Sequence, residues 1–466
     1  MLQLMIKTTI LAIGLVGSFH AGAQTVSGKL ATAFRQFEND TQLKSAIASL
    51  YVIDAKTGKV VFDKNANLGL APASTQKIIT AATAYEVLGK DFRYETALGY
   101  TTRPGNENIL FIKPGGDPTL GSWRWETTKE DKVVQRFVNA VSQINDRTWQ
   151  GLVVEANGWN GESIPDGWIW QDIGNYYGAG AGALNWRENQ YDLVLSSGNK
   201  IGDGVKVVET KPQLYAYDFV SMATAAGKGT GDNAYIYFPL EGNRGIVRGT
   251  IPVSESRFVI SGAMPAPANQ FVYTLTDAFA KNNIQFNSNP TPVTVFDSLT
   301  SSRTILYTEY SPRLDSIVYW FNRKSINLYG EALIKTMAYK TKAKAETGEG
   351  LNLLREVWKS KGIDKTELNM VDGSGLSPLN RVTTHAQVLI LQHAQKQDWY
   401  PGFYNSLPEY NGMKMKSGTI RGVKGFTGYH TTKDGSAYIF SFLVNNYNGS
   451  AGTLVQKMYK VLDVLK

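Results

Sequence analysis

A chain of 466 residues with 42% hydrophobic residues can build two or three domains around a full apolar core; with no cysteine, disulfides, thiol catalysis and a lipid-modified cysteine are excluded together. The formal charge of +8 comes from scattered basic residues, which suits solubility or affinity for an anionic wall polymer, and no motif supports nucleic-acid binding. Abundant Gly, Tyr and Trp favour a β-rich portion with many turns.

Residues 1–23 read as an export signal. Lys7 supplies a short basic start, Ile10 to Val16 an apolar centre, and Ala21-Gly22-Ala23 a small-residue cleavage site before Gln24. The apolar run is short for a bilayer span, and no later stretch is long enough to be one. A bacterial periplasmic location, with cleavage after Ala23 and no stable transmembrane anchor, is therefore expected; an uncleaved anchor is the alternative.

The folded part opens with an amphipathic helix over 26–40 carrying Leu30, Phe34 and Phe37. Ala46 to Asp54 and Val60-Val61-Phe62 read as a hairpin around Lys56-Thr57-Gly58-Lys59. Next comes Ala73-Ser74-Thr75-Gln76-Lys77, the start of a buried helix. Ile78, Ala81, Ala82 and Tyr85 recur at three- and four-residue steps, and Gly89 ends the run. On a helix, Ser74 and Lys77 share one face and nearly touch. A serine hydroxyl needs a base, and a lysine kept neutral by burial and a second cation can serve. The helix N-terminus adds N–H groups and partial positive charge near the reacting centre. A helix cap at Ser74 beside a solvated Lys77 fits the same short motif.

From about Phe92 to Ser302 the chain turns to short strands broken by Gly, Asn and Pro. Ala97 to Tyr100 and Ile109 to Ile112 flank a Pro104-Gly105-Asn106 turn. One helix carries Val133, Phe137, Val141 and Ile144. An aromatic, glycine-rich segment follows from Trp159 to Trp186. Strands are expected at Asp192–Leu195, Tyr235–Phe238, Ile246–Ile251 and Phe258–Ile260, then a helix with Phe271, Leu275 and Phe279. The block reads as an insertion of one or two β-rich domains. Helices resume at Ser311-Pro312, with Ser as cap and Pro at the first position. Others are expected at 327–343, 350–361 and 384–396. Strands follow at Lys416–Ile420, Gly425–His430 and Ala437–Val444, and a last helix carries Leu454, Met458, Val461 and Leu465.

Three further segments bear on chemistry. Ser325-Ile326-Asn327, in a turn between helices, can relay a proton and hold a carbonyl, or simply cap a helix. Lys416-Ser417-Gly418-Thr419, entering an edge strand, suits a carboxylate, with Gly418 letting a ligand backbone approach; a surface turn is the alternative. Asp372-Gly373-Ser374-Gly375-Leu376-Ser377 reads as a tight turn rather than direct chemistry. The three histidines beyond the signal, His385, His393 and His430, stand in no catalytic pattern, and no metal-ligand spacing occurs; no metal or cofactor is expected.

Taken in order, S-x-x-K, S-x-N and K-[ST]-G form the set used by class A β-lactamases and penicillin-binding proteins. With Gly115-Gly116-Asp117-Pro118-Thr119-Leu120 and Pro165-Asp166-Gly167-Trp168, the mature chain resembles the D-alanyl-D-alanine carboxypeptidase/endopeptidase family, the class C low-molecular-mass penicillin-binding proteins (peptidase family S13). The resemblance implies an α/β (α+β) catalytic domain of β-lactamase/transpeptidase type, with a central antiparallel sheet flanked by helices. That domain would comprise 24–90 and 303–466, split by an insertion over 91–302. The insertion would form two subdomains, about 91–122 with 190–302, and about 123–189.

The resemblance also implies attack by Ser74 on D-Ala-D-Ala peptides of peptidoglycan, Lys77 as base, and Ser325 passing a proton to the leaving amine, tuned by Lys416. Asn327 would hold the substrate amide, and Ser417 and Thr419 the terminal carboxylate. Backbone N–H groups of Ser74 and Thr419 would form the oxyanion hole, and β-lactam antibiotics would acylate the same serine. Ser417 replaces a commoner Thr, and Ile326 a residue often polar in relatives; neither removes a catalytic atom. A β-lactamase or esterase of the same fold shares acylation and differs in deacylation. A non-catalytic wall-binding protein would leave the five polar residues without a purpose.

Overall fold

The computed structural model describes residues 25–103, 107–144, 148–159, 161–239, 242–287, 293–295 and 303–466. The expected export signal and the Pro104-Gly105-Asn106 turn lie outside the described residues.

An antiparallel six-stranded sheet joins the two ends of the chain. Its order is Glu409–Tyr410, Met413–Ile420, Val423–Thr431, Ala437–Asn445, Ile47–Asp54, Val60–Lys64. The central pairing runs from Ile47 opposite Asn445 to Asp54 opposite Tyr438. Side chains alternate across a strand, and here both faces are buried. Leu50, Val52, Phe440 and Phe442 point to one side with Phe34 and Phe37 of the helix Val26–Glu38 and Leu454 and Met458 of the helix Ala451–Leu462. Phe34 packs its ring on Phe62 and Phe442. Tyr51, Ile53, Ile439 and Leu443 point the other way, into the core that holds the helix Lys77–Leu88. That helix is buried on all sides from Lys77 to Tyr85, because it lies among the sheet, the helix Asn327–Lys342 and the helix Thr384–Ala394. The result is a three-layer α/β domain with its antiparallel sheet in the middle.

The insertion has its own core. A five-stranded sheet runs Val293–Val295, Trp149–Glu155, Glu107–Lys113, Glu95–Arg103, Arg303–Tyr310. Smaller sheets combine Phe258–Ala263, Gln190–Ser197 and Val205–Lys211, and separately Asn233–Tyr237, Arg244–Pro252, Asp218–Ser221 and Thr224–Ala226. One apolar cluster spans all three sheets and the helices Glu130–Ser142 and Pro267–Lys281.

This pairing corrects the expected domain limits. Trp149–Glu155, assigned to a 123–189 subdomain, lies beside Glu107–Lys113 in register from Ile109 opposite Gly151 to Ile112 opposite Val154. Arg303–Tyr310, assigned to the catalytic part, pairs with Glu95–Arg103. Neither strand stood among those expected, and local patterning does not show which segments pair, so the cut fell in the wrong places. Ser311 is likewise no helix cap. The helix starts at Leu314, and the Ser311 hydroxyl accepts the Tyr94 N–H at 2.8 Å, where the outgoing and returning chains lie side by side.

A buried ion network rivets the insertion to the catalytic layer. Arg187, Glu188 and Asn189 all have left-handed backbones near φ 50–54°, a costly run for residues with side chains. The turn carries the Glu188 carboxylate to Arg124 at 2.7 and 2.9 Å, to the Ser122 hydroxyl at 2.7 Å and to the Tyr329 hydroxyl at 2.7 Å. Tyr329 belongs to the helix Asn327–Lys342, so the turn locks two units together. Glu188→Ala leaves the half-buried Arg124 guanidinium and two buried hydroxyls without their acceptor and is expected to cost about 3 kcal/mol, measured by chemical denaturation.

Candidate active site

Pro72 precedes a 3-10 turn, Ala73–Gln76, which runs into the α-helix at Lys77. Ser74 therefore sits in this tight turn and not in the first α-turn, but the three-residue step still aligns its side chain with Lys77. Ala73 is held at φ 46°, strain of the sort that collects where a side chain must be aimed.

Lys77 is fully buried. Its Nζ meets three oxygens: Ser74 Oγ at 3.0 Å, Asn327 Oδ1 at 2.7 Å and the Ser374 carbonyl at 2.6 Å. A neutral amine has two N–H bonds and one lone pair. Asn327 and Ser374 can accept only, so they take both N–H bonds and the lone pair is left facing the Ser74 hydroxyl. Burial pushes Lys77 down to about 7, against the opposing pull of Asp372 and Glu331. The base form is thus populated at neutral pH.

Ser325 and Asn327 occupy the joint between the helices Leu314–Lys324 and Asn327–Lys342. Ser325 takes the left-handed conformation at φ 57°, which ends one helix and turns the chain into the next. Its hydroxyl accepts from Lys416 Nζ at 3.0 Å, and the same ammonium donates to the Ser417 carbonyl at 2.9 Å. Burial holds Lys416 well below an ordinary lysine, with Lys77 and Lys424 adding repulsion.

Lys416–Thr419 lie on a strand whose outer partner, Glu409–Tyr410, reaches only Met413 and Lys414, so its far end is open. Thr419 lines the cleft and its hydroxyl accepts from Lys424 Nζ at 2.7 Å. Ser417, half-buried, stands on the same strand. Gly418 departs from expectation. A Cβ there would lie 2.5 Å from the Pro72 carbonyl oxygen, 2.9 Å from Thr75 N and 3.1 Å from Ser74 N. The space reserved by this glycine is filled by the protein's own serine turn, not by a ligand.

The Asp372 loop is a turn, as its letters suggest, but it also presents the Ser374 carbonyl to Lys77. Buried Asp372 accepts from Gln76 Nε2, Gly375 N and Asn380 Nδ2 on one oxygen and from Ser377 N and Trp168 Nε1 on the other. Glu331 accepts from Gly373 N at 2.8 Å, and burial, then Asp372, push its carboxyl up to about 8. Sequence reading missed Ser374, Glu331, Lys424 and the Tyr177 carbonyl, which accepts from Asn327 Nδ2 at 2.7 Å. Backbone carbonyls carry no letter in a motif. Glu331, one helical turn beyond Asn327, is a buried acid whose spacing was the available signal.

These groups open onto a cleft of about 960 Å³ that Ser74, Ser325, Asn327 and Thr419 share with Asp172, Tyr177 and Tyr235 of the insertion. A hydroxyl beside a depressed lysine, on a transpeptidase-like α/β fold, is the layout of a serine acyl-transfer enzyme. The comparisons narrow the class. The pattern of the D-Ala-D-Ala carboxypeptidase 3 (S13) family matches residues 30–409, and the chain belongs to that family of serine peptidases. A D-alanyl-D-alanine carboxypeptidase of Actinomadura sp. (strain R39) is 25% identical over 97% of this chain and 88% of that protein. D-alanyl-D-alanine carboxypeptidase DacB of Haemophilus influenzae is 23% identical over 86% of this chain and 85% of its own length. The crystal structure of penicillin binding protein 4 (dacB) from H. influenzae shares the fold, with TM-score 0.78 at 18% identity over 93% of this chain and 98% of that one.

Two outcomes follow for the site. With Lys77 as the base for Ser74, acylation by a labelled penicillin should rise with pH through about 7 and then level off as the amine loses its proton; Lys77→Arg should abolish it at every pH. Gly418→Ala should lower the acylation rate by about 100-fold with a fall in Tm, since either the strand or the Ser74 turn must move.

Proposed function

We propose that this D-Ala-D-Ala carboxypeptidase works in the periplasm, after loss of residues 1–23, and cleaves both stem peptides and peptide cross-links of peptidoglycan through an acyl-enzyme on Ser74. The Lys77 amine, 3.0 Å from Ser74 Oγ and fixed by two further acceptors, is the observation that carries this reading.

Ser74 Oγ attacks the carbonyl carbon between the two D-Ala residues and its proton passes to Lys77. The oxygen of the tetrahedral intermediate is stabilised by the backbone N–H groups of Ser74 and Thr419, which the close packing of Gly418 on the serine turn brings together. The C–N bond then breaks. The proton taken up by Lys77 passes through Ser325, whose hydroxyl is held by Lys416, to the leaving amine, and Lys77 is neutral again. The Asn327 amide steadies the substrate. Ser417 and Thr419 bind the terminal carboxylate, with Lys424 adding charge beside Thr419. Water, deprotonated by the same base, attacks the ester and restores Ser74. No step calls for a metal or cofactor.

β-Lactams present a strained amide to the same hydroxyl and act as covalent inhibitors. The H. influenzae penicillin binding protein 4 complexed with a β-lactam, alike in fold at TM-score 0.73, supports that part of the reading. A direct test pairs labelled penicillin with a D-Ala-D-Ala-ended muropeptide. The wild type should retain label on Ser74 and release D-Ala, and Ser74→Ala should do neither. Rapid turnover of the antibiotic without D-Ala release would instead mark a β-lactamase.

A further inference from the structure

The insertion reaches into the site through a strap, residues 161–189, that crosses the helix Asn327–Lys342. Its two limbs are pinned by one buried side chain. Lys335 Nζ donates to the Glu162 carbonyl on the incoming limb and, at 2.9 Å, to the Ala181 carbonyl on the outgoing limb. The limbs also touch directly: a Cβ on Gly180 would lie 2.5 Å from the Ser163 carbonyl oxygen. Lys335 is 1% exposed, two helical turns beyond Asn327. Holding a lysine there is costly, and among the described residues the two strap carbonyls are what accept from it.

Between its pinned ends the strap touches Asn327, one acceptor of Lys77, and the loop that carries the other. The Tyr177 carbonyl takes Asn327 Nδ2 at 2.7 Å, which forces the amide oxygen of Asn327 toward Lys77. The Trp168 indole donates to Asp372 Oδ2 at 3.0 Å, in the loop whose Ser374 carbonyl is the other acceptor. The Ser377 hydroxyl, at the end of that loop, donates to the Gly167 carbonyl at 2.9 Å. The two groups that leave the Lys77 lone pair for Ser74 are thus each held from the insertion.

We propose that the strap is the positioning element for the Lys77 base, with Trp168 and Lys335 as positioning residues that act through Asp372 and through the Tyr177 carbonyl. The inference rests on Lys77 serving as the base for Ser74. The ionisable groups around Lys77 are Asp372, Glu331 and Lys416. None belongs to the strap, so loosening the strap acts on Lys77 by geometry and hydration; Lys335 itself also faces Glu331, so Trp168→Phe, which removes no charge, is the deciding variant. Water that reaches Lys77 restores it toward an ordinary lysine, and the acidic limb of the acylation profile moves to higher pH.

The experiment measures the second-order rate of acylation by labelled penicillin across pH for Trp168→Phe, Lys335→Met and Trp170→Phe, with Tm for each. Trp168→Phe keeps an aromatic ring and loses the indole N–H together with the five-membered ring that carries it, a truncation that Trp170→Phe repeats. Trp170 lies in the same strap and donates to the Phe238 carbonyl, away from Lys77, so its variant is the control. The expected result is a fall in rate of about ten-fold or more for Trp168→Phe and Lys335→Met, with the acidic midpoint moved up, and a wild-type profile for Trp170→Phe. A folded Trp168→Phe with the wild-type midpoint overturns the proposal, even if Lys335→Met fails to fold. An equal shift in Trp170→Phe also overturns it. Failure of the wild type to acylate at all would strike the Ser74–Lys77 reading itself and is seen before any strap variant is made.

Discussion

A lysine with no access to water has to give up either its proton or its place in the fold. Lys77 resolves that conflict with partners that accept hydrogen bonds and bring little net charge: an amide oxygen, a peptide carbonyl and a hydroxyl. Carboxylates in direct contact would have stabilised the ammonium and left no base. The nearest acids stand back. Glu331 is itself pushed toward its neutral form by burial, and Asp372 spends its charge on five donors. Much of the surrounding architecture serves to hold this arrangement dry.

The layers show how. A helix buried on all sides needs a sheet below and helices around it, and the catalytic domain supplies both. The sheet brings Lys416 against Ser325 from the opposite direction, so two depressed lysines flank the hydroxyls from two sides. Gly418 sets the spacing between strand and serine turn, since any side chain would hold them apart. The insertion completes the wall. Its strap lies over the helix Asn327–Lys342, and the Glu188 network locks the same helix from beyond it. An added β-rich domain is thus also part of the frame around the reacting groups.

Much of the fold is legible locally. Leu30, Phe34 and Phe37 announce their helix, and the apolar run from Ala437 to Val444 announces a strand, which the fold buries on both faces. The histidines are structural, as their lack of pattern suggests: His385 faces Glu367 and His393 faces Glu86. Pairing is where local reading fails. Arg303–Tyr310 carries no local sign of its partner, and only its register against Glu95–Arg103 assigns it to the insertion.

By itself the sequence singled out Ser74, Lys77, Ser325, Asn327 and Lys416, which the fold brings into contact as a Ser74–Lys77–Asn327 cluster and a Ser325–Lys416 pair, because motif letters record side chains whose chemistry has few substitutes. Hydrophobic spacing marked many of the helices and strands, and the resemblance carried by the motifs implied the antiparallel α/β class. Tertiary structure alone decided which oxygens surround Lys77, what fills the space beside Gly418, and which strands share a sheet. Those depend on backbone carbonyls and on contacts between segments far apart in the chain, such as Tyr177 with Asn327 and Trp168 with Asp372. A carbonyl is the same atom at every position, so only the path of the chain can give it a role.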